Sequence, residues 1–226
     1  MTLKTPSTLI NPNRNLAEIK TKPLYQGFFQ YQHLAYKHSL YLTTNPKTDP
    51  QSSLLSREVM CRGDAVVVLL YNRERQNFLL VEQVRAGAVM SEHLQSQKSS
   101  GDYSASWLLE PVAGGIAQGE DPESAVHREA MEEAGVKISN LEFILRYYPS
   151  PAACDEQILV YAAEYEPNNS VVVAGLDSED EDIRVVYLSF TEARKTLKKH
   201  QFNVSSTIIS LQWFFLEKSA FLEDSD

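Results

Sequence analysis

Residues 114–136 read GGIAQGEDPESAVHREAMEEAGV, and this stretch decides how the rest of the chain is interpreted. Asp121 is a favoured N-cap residue, and Pro122 suits the first position of a helix. Gly135 suits the position just after the last helical turn, where a left-handed backbone is common. These signals predict a helix that begins after Asp121 and ends before Gly135.

Three glutamates of this helix are predicted to share one face. Glu129, Glu132 and Glu133 are spaced i, i+3 and i+4, which places them within an arc of roughly 100°. Like charges four residues apart destabilise an isolated helix by about 0.2–0.5 kcal/mol per pair, and a cation bound between the carboxylates would reverse that sign. Carboxylate oxygens suit Mg²⁺, especially where substrate phosphates complete its coordination. By itself, the helix is equally compatible with an acidic face exposed to solvent, whose negative charge Arg128 partly balances.

The spacing of the surrounding residues resembles the box of the Nudix hydrolases, G-x5-E-x7-R-E-U-x-E-E-x-G-U. The fixed positions that match are Gly114, Glu120, Arg128, Glu129, Glu132, Glu133 and Gly135. Ala130 and Val136 stand at the positions marked U, where the family usually has a bulky aliphatic residue. Ala130 is therefore the weakest match.

The segments outside the box resemble the ADP-ribose pyrophosphatase branch of this family over about residues 24–216. The matching segments are LYQGFF (24–29), REVMCRGDAVVVL (57–69), LLVEQVR (79–85), WLLEPVAGG (107–115), YPSPAACDE (148–156), EDEDIRV (179–185) and STIISLQW (206–213). The resemblance implies an α/β/α sandwich with a mixed sheet and a small N-terminal antiparallel β extension.

The resemblance also implies a metal site. In the family the box glutamates hold two or three Mg²⁺ ions around a pyrophosphate, and Mn²⁺ is a possible substitute. Glu129 and Glu133 would be direct ligands here, and Glu132 would bind directly or through water. The backbone carbonyl of Ala113, just before the box glycine, would be a further ligand.

The acidic segment DSEDED at 177–182 has two interpretations. By itself it is typical of a solvated loop. The resemblance implies that Glu179 is the general base and Glu181 a metal ligand, although the crowding of acids leaves open an exchange of the two roles.

The remaining expected substrate contacts also follow from the resemblance. Arg85 would pair with a substrate phosphate, although an exposed surface arginine is the alternative. Phe28 and Phe29 would stack on adenine from the partner subunit, with core packing of a strand as the alternative. The other expected substrate contacts are Arg57, Glu58 and Arg62 for the adenosine portion, Ser150 and Glu156 for the terminal ribose, and Gly115. Ala152 and Ala153 replace two glycines that are frequent in the family, which leaves the shape of the sugar pocket open.

The resemblance and the sequence pattern together predict how the chain is organised. We expect an N-terminal β extension over residues 1–58, which mediates dimerisation and contacts substrate, and a Nudix domain over 59–226. Strands are predicted over 24–42, 65–71, 78–84, 107–112, 141–148, 157–165 and 183–188, helices over 190–199 and 204–218, and a surface loop over 91–106.

The charge distribution excludes some classes of function. The net charge is −9, and residues 1–58 carry +4, from seven Lys and Arg against three Asp and Glu, whereas the remainder carries −13. An acidic protein without a basic stripe is not typical of a nucleic-acid binder.

No apolar run is long enough to span a membrane. Two isolated cysteines and the lack of a signal sequence indicate the cytoplasm.

The resemblance leaves three functions open. The first is Mg²⁺-dependent hydrolysis of ADP-ribose to AMP and ribose 5-phosphate by a homodimer. The second is hydrolysis of another nucleoside diphosphate sugar, such as GDP-mannose. The third is a non-catalytic ADP-ribose-binding module, which the four glutamates of the box disfavour.

Overall fold

The computed structural model describes residues 14–40, 50–96, 104–168, 173–174 and 182–221. The strands are β1 (Leu16–Gln26), β2 (Gln30–His38), β3 (Leu55–Cys61), β4 (Ala65–Asn72), β5 (Asn77–Val84), β6 (Trp107–Glu110), β7 (Val112–Gly115), β8 (Ile138–Tyr147), β9 (Ile158–Tyr165), β10 (Val173–Ala174) and β11 (Ile183–Ser189). The helices are α1 (Ala86–Ser96), α2 (Pro122–Ala134), α3 (Phe190–Lys198) and α4 (Ser205–Glu217). No described helix is both long enough and apolar enough to cross a membrane.

The chain divides into two compact units. The first contains the residues up to Gly63 together with Tyr148–Gln157, and the second contains Asp64–Tyr147 and the residues from Ile158 onward. In the first unit, β1, β2 and β3 form an antiparallel sheet in that order. The segment Tyr148–Gln157 is hydrogen-bonded to β3, since the Met60 N–H donates to the Ala153 carbonyl at 2.8 Å.

The first strand begins earlier than the sequence predicts. Residues 24–42 show the partial alternation of a strand, whereas β1 starts at Leu16. Most side chains of β1 are exposed, so its sequence lacks the regular apolar alternation that marks a half-buried strand. Its pairing with β2 is what makes it a strand.

The second unit contains a mixed sheet whose strand order is β10-β11-β5-β4-β9-β8. β4 pairs with β9 in parallel and with β5 and β7 antiparallel. The predicted strand over 107–112 is two short strands, because Pro111 has no N–H to continue a ladder. β6 pairs with β5 on one side of Pro111, and β7 pairs with β4 on the other.

Alternate residues of β4 face two different helical layers. Val66, Val68 and Leu70 pack in a cluster with buried residues of α2. Leu69 and Tyr71 pack in a second cluster with Phe190 of α3 and with Leu211 and Phe214 of α4. Since successive residues of a strand face opposite sides, the sheet lies between α2 and the pair α3 and α4. The predicted α/β/α sandwich is confirmed.

Helix α2 has the ends that its sequence predicts. The Asp121 carboxylate accepts hydrogen bonds from the N–H groups of Glu123 and Ser124 at 3.1 and 3.2 Å. Gly135 has φ 62°, and its N–H donates to the Met131 carbonyl at 3.0 Å. Ala130, the weak match to the box, is fully buried in the core cluster of the sheet.

The prediction of a loop over 91–106 is wrong for its first part. α1 continues to Ser96, and Ser104–Ser106 form one turn of 3-10 helix. The polar character of the segment suggested a loop, but Glu92, Leu94 and Gln95 are good helix formers that continue a helix begun at Ala86. Residues 97–103 lie outside the described part of the chain.

Replacing Asp121 with Ala should lower the free energy of unfolding by about 1 kcal/mol, because two N–H groups of α2 lose their acceptor. Asp121→Asn is the matched control, since asparagine caps helices as well as aspartate does. Urea denaturation of the three proteins measures the difference. Equal destabilisation by both variants would show that the cap hydrogen bonds are not what stabilises this end of α2.

Candidate active site

The acidic face of α2 lies against β7 at a position that has no side chain. A Cβ atom at Gly114 would overlap the carboxylate of Glu129. Glycine at this position of β7 therefore makes room for the carboxylate beside the backbone. Glu129 and Glu133 are only 8% and 2% exposed, so the site has two acids that are largely removed from water.

A hydrogen bond joins Ala113 and Glu133, two residues that the resemblance implies are metal ligands. The Ala113 N–H donates to Oε2 of Glu133 at 2.9 Å. The carbonyl of Ala113 belongs to the same short strand, which pairs with β4 through Val67. Glu132 lies one residue before Glu133 on α2 and is partly exposed.

Arg128 connects most of the acids of the box. Its Nη1 donates to Oε1 of Glu129 at 2.6 Å and to Oε2 of Glu132 at 2.9 Å. Its Nε and Nη2 donate to the two carboxylate oxygens of Glu120 at 2.9 and 3.0 Å. Nη2 also donates to the Gly115 carbonyl at 3.0 Å. One guanidinium therefore holds three carboxylates and the end of β7 in a fixed arrangement.

This arrangement keeps the carboxylate of Glu120 ionised. Hydrogen bonds from Arg128, and then one from the Ala117 N–H, lower the pKa of Glu120 to about 2. Hydrogen bonds to Glu120 in turn raise the pKa of Arg128 above its usual value. Glu120 therefore carries its charge throughout the neutral pH range. The sequence identified Glu120 as a fixed position of the box, and the structure shows that it anchors Arg128.

The donor set fits a magnesium site. Carboxylates of Glu129, Glu132 and Glu133 together with the Ala113 carbonyl offer the hard oxygen ligands that Mg²⁺ prefers. In the arrangement seen among the described residues, no group of three His, Cys, Asp or Glu side chains is placed to hold a metal ion. The guanidinium of Arg128 lies between the carboxylates of Glu129 and Glu132. Glu179 and Glu181 of the acidic segment lie outside the described residues.

Arg85 has a partner that the sequence did not reveal. Its Nε donates to Oε2 of Glu110 at 2.8 Å. Glu110 is 7% exposed, at the end of β6. A glutamate in the otherwise apolar run WLLEPV was the available signal, because a buried acid requires a partner.

The first unit holds several other expected substrate residues. Phe28 is 95% exposed in the turn between β1 and β2, so core packing does not explain it. Its ring centroid lies 4.8 Å from that of Phe29. The guanidinium carbon of Arg62 is 5.5 Å from the Phe29 centroid, and its Nε is 3.3 Å from Oε1 of Glu156. The structure thus brings Phe28, Phe29, Arg62 and Glu156 into one chain of contacts.

The first unit also contains Arg57, Glu58 and Ser150. Arg57 and Glu58 are exposed neighbours on β3, and successive residues of a strand face opposite sides. Arg57 donates to the Ser56 carbonyl at 2.7 Å. The Ser150 carbonyl accepts from the N–H groups of Ala153 and Cys154 at 3.1 and 2.9 Å, which closes a turn in the segment that contains Glu156.

Comparison with known proteins found a matching family and related proteins. A family model described as NUDIX domain matches residues 62–208. An ADP-ribose pyrophosphatase of Haemophilus influenzae is 34% identical over 193 residues, which cover 85% of this chain and 82% of that protein. A GDP-mannose pyrophosphatase of Yersinia pestis is 31% identical over 172 residues, which cover 76% of this chain and 81% of that protein.

A solved structure described as an ADP compounds hydrolase has the same fold. It superposes with a TM-score of 0.60 at 16% identity, over 90% of this chain and 95% of that one. The NUDIX match spans more than half of the chain and contains the whole of the box, from Gly114 to Val136. The chain therefore belongs to the NUDIX domain family.

Proposed function

We propose that this protein is a Mg²⁺-dependent ADP-ribose pyrophosphatase that releases AMP and ribose 5-phosphate. As a member of the NUDIX family it is a diphosphate hydrolase. One observation carries the proposal: Glu129 and Glu133 are buried acids that meet the backbone of Ala113 and Gly114 at the contact between α2 and β7. Such a concentration of charge suits a site that receives cations and a diphosphate.

Glu129, Glu132, Glu133 and the Ala113 carbonyl would hold two or three Mg²⁺ ions, and Mn²⁺ is an expected substitute. Bound Mg²⁺ would supply positive charge that offsets the charge of the diphosphate oxygens, and it would make the attacking water more acidic. Arg128 would keep Glu129 and Glu132 in place through its hydrogen bonds.

The protein's own groups would complete the reaction. Arg85 would bind a phosphate of the diphosphate through its guanidinium. Glu179 would take the proton of the attacking water, and Glu181 would act as a further ligand, with the two roles open to exchange. Attack of water on one phosphorus breaks the P–O–P bridge, and the two phosphate monoesters leave as AMP and ribose 5-phosphate.

The first unit is proposed to recognise the rest of the substrate. The exposed ring of Phe28, with Phe29 beside it, suits stacking on adenine contributed to the partner subunit of a homodimer. The further proposed contacts are Arg57, Glu58 and Arg62 for adenosine, Ser150 and Glu156 for the terminal ribose, and Gly115. Residues 1–58 would then form a dimerisation extension, and residues 59–226 the hydrolase domain.

The location and the partners of the protein are proposed on separate grounds. Cys61 and Cys154 are both free thiols, which suits the reducing cytoplasm. The net charge of −9 makes nucleic acid an unsuitable partner. We likewise propose that the protein has no membrane partner.

One alternative function has specific support, and a second is disfavoured. Hydrolysis of GDP-mannose is the activity named for a relative that is 31% identical, and Ala152 and Ala153 change the loop expected to border the sugar. A binding module without turnover is disfavoured, because Glu120, Glu129 and Glu133 all take part in the network at the site.

A panel of nucleoside diphosphate sugars tests the substrate. With Mg²⁺ present, we expect ADP-ribose to give the highest kcat/KM and to yield AMP and ribose 5-phosphate, and EDTA should abolish turnover. Phosphatase-coupled release of phosphate measures the rates. A kcat/KM for GDP-mannose about tenfold above that for ADP-ribose, a difference of 1.4 kcal/mol, would replace the proposed substrate.

Changing Glu133 to Gln tests the metal assignment. The variant should lose activity by at least about 100-fold, because an uncharged amide is a poor Mg²⁺ ligand. The fold should survive, since the amide oxygen of glutamine still accepts the hydrogen bond from Ala113. Glu123→Gln, at an exposed position of the same helix, is the control and should retain activity. Activity of the Glu133→Gln variant near that of the control would refute the assignment.

A further inference from the structure

We propose that Glu110 is a positioning residue for Arg85, holding its guanidinium so that the outer nitrogens face a substrate phosphate. This inference rests on the proposed function and adds a residue to it. The pair joins two strands of the central sheet, since Arg85 directly follows β5 and Glu110 ends β6.

The two side chains differ in their access to solvent. The Glu110 side chain is 10% exposed, whereas that of Arg85 is 38% exposed. Their hydrogen bond joins Nε of Arg85 to Oε2 of Glu110 at 2.8 Å. A carboxylate bound at Nε leaves the two terminal nitrogens for a second oxyanion, and a phosphate accepts such a pair of parallel hydrogen bonds.

The backbone of Arg85 is also fixed. Its N–H donates to the Ser106 carbonyl at 3.2 Å, and its own carbonyl accepts from Ala88 and Val89 at 2.9 and 3.0 Å. The hydroxyl of Ser106 in turn donates to the carboxylate of Glu92 on α1. With its backbone fixed at both polar groups, the remaining freedom of Arg85 lies in its side chain, and Glu110 restricts that.

The pair lies on the face of the sheet that carries α2. Every second residue of an extended chain faces the same side, so Arg85 faces the side of Val81 and Gln83. Val81 packs in the cluster that contains the buried residues of α2. Glu110 is directly opposite Val81 in the β5–β6 register, so the two share this face. Arg85 and Glu110 therefore belong to the same side of the sheet as the acids of the box.

Gln83 gives a second indication of a ligand on this face. It is 6% exposed, and among the described residues its Nε2 has no hydrogen-bond partner. An unpaired buried donor costs about 1–3 kcal/mol, and such a group in a native protein requires an explanation. An oxygen-rich ligand beside Arg85 would supply the missing acceptor.

A double-mutant cycle separates positioning from a structural role. We would measure kcat and KM for ADP-ribose with the wild type, Glu110→Gln, Arg85→Gln and the double variant, and follow urea denaturation of each. Glu110→Gln should raise KM about tenfold and change kcat far less, since a misdirected Arg85 weakens phosphate binding. In the Arg85→Gln background the same change should alter kcat/KM by less than about twofold, because Glu110 would have no arginine left to position.

Two further variants complete the design. Glu82→Gln removes the partner of Arg184 from the same strand and should leave KM unchanged. Glu110→Asp keeps the charge but shortens its reach, and should raise KM while the fold is retained. If Glu110→Gln does not fold, this variant supplies the test.

The outcomes distinguish the two proposals. Equal effects of Glu110→Gln in the wild-type and Arg85→Gln backgrounds, or an unchanged KM in both Glu110 variants of an active enzyme, would overturn the positioning role alone. A wild-type protein that hydrolyses no nucleoside diphosphate sugar would overturn the proposed function, and the inference with it.

Discussion

The carboxylate of Glu129 lies against a strand position that has no side chain, and the rest of the site depends on this close approach. Gly114 leaves the space, and Arg128 holds the carboxylate there while it also bonds Glu120 and the end of β7. Each charge is costly to bury alone, and their pairing offsets that cost. The helix and the strand are therefore joined by the same groups that would receive a metal.

The framework behind this contact was largely predictable. The caps of α2, the two strands β4 and β5 and the helix after Ser189 are local features, each specified by a few neighbouring residues. The spacing of the box predicted which acids share a face. Local signals of this kind are reliable because turn chemistry and helix capping depend on sequence neighbours rather than on distant packing.

Other features depend on contacts between distant residues. β1 is mostly exposed and becomes a strand through its pairing with β2. The second half of α1 was predicted as a loop because its residues are polar, although several of them favour a helix. The pairing of Arg85 with Glu110 spans two strands, and no spacing in the sequence indicates it. Glu179 and Glu181 lie outside the described residues, so the assignments of base and additional ligand remain predictions.

Binding of Mg²⁺ to the Gly114→Ala variant, followed by isothermal titration calorimetry, tests the central claim most directly. The new methyl group would displace the end of a flexible side chain, so the fold should persist while the Glu129 carboxylate leaves its place. We predict that Mg²⁺ binding weakens by at least about tenfold, 1.4 kcal/mol, while Gly87→Ala, where a Cβ meets open space, binds as the wild type does. Wild-type affinity in a folded Gly114→Ala protein would contradict the account.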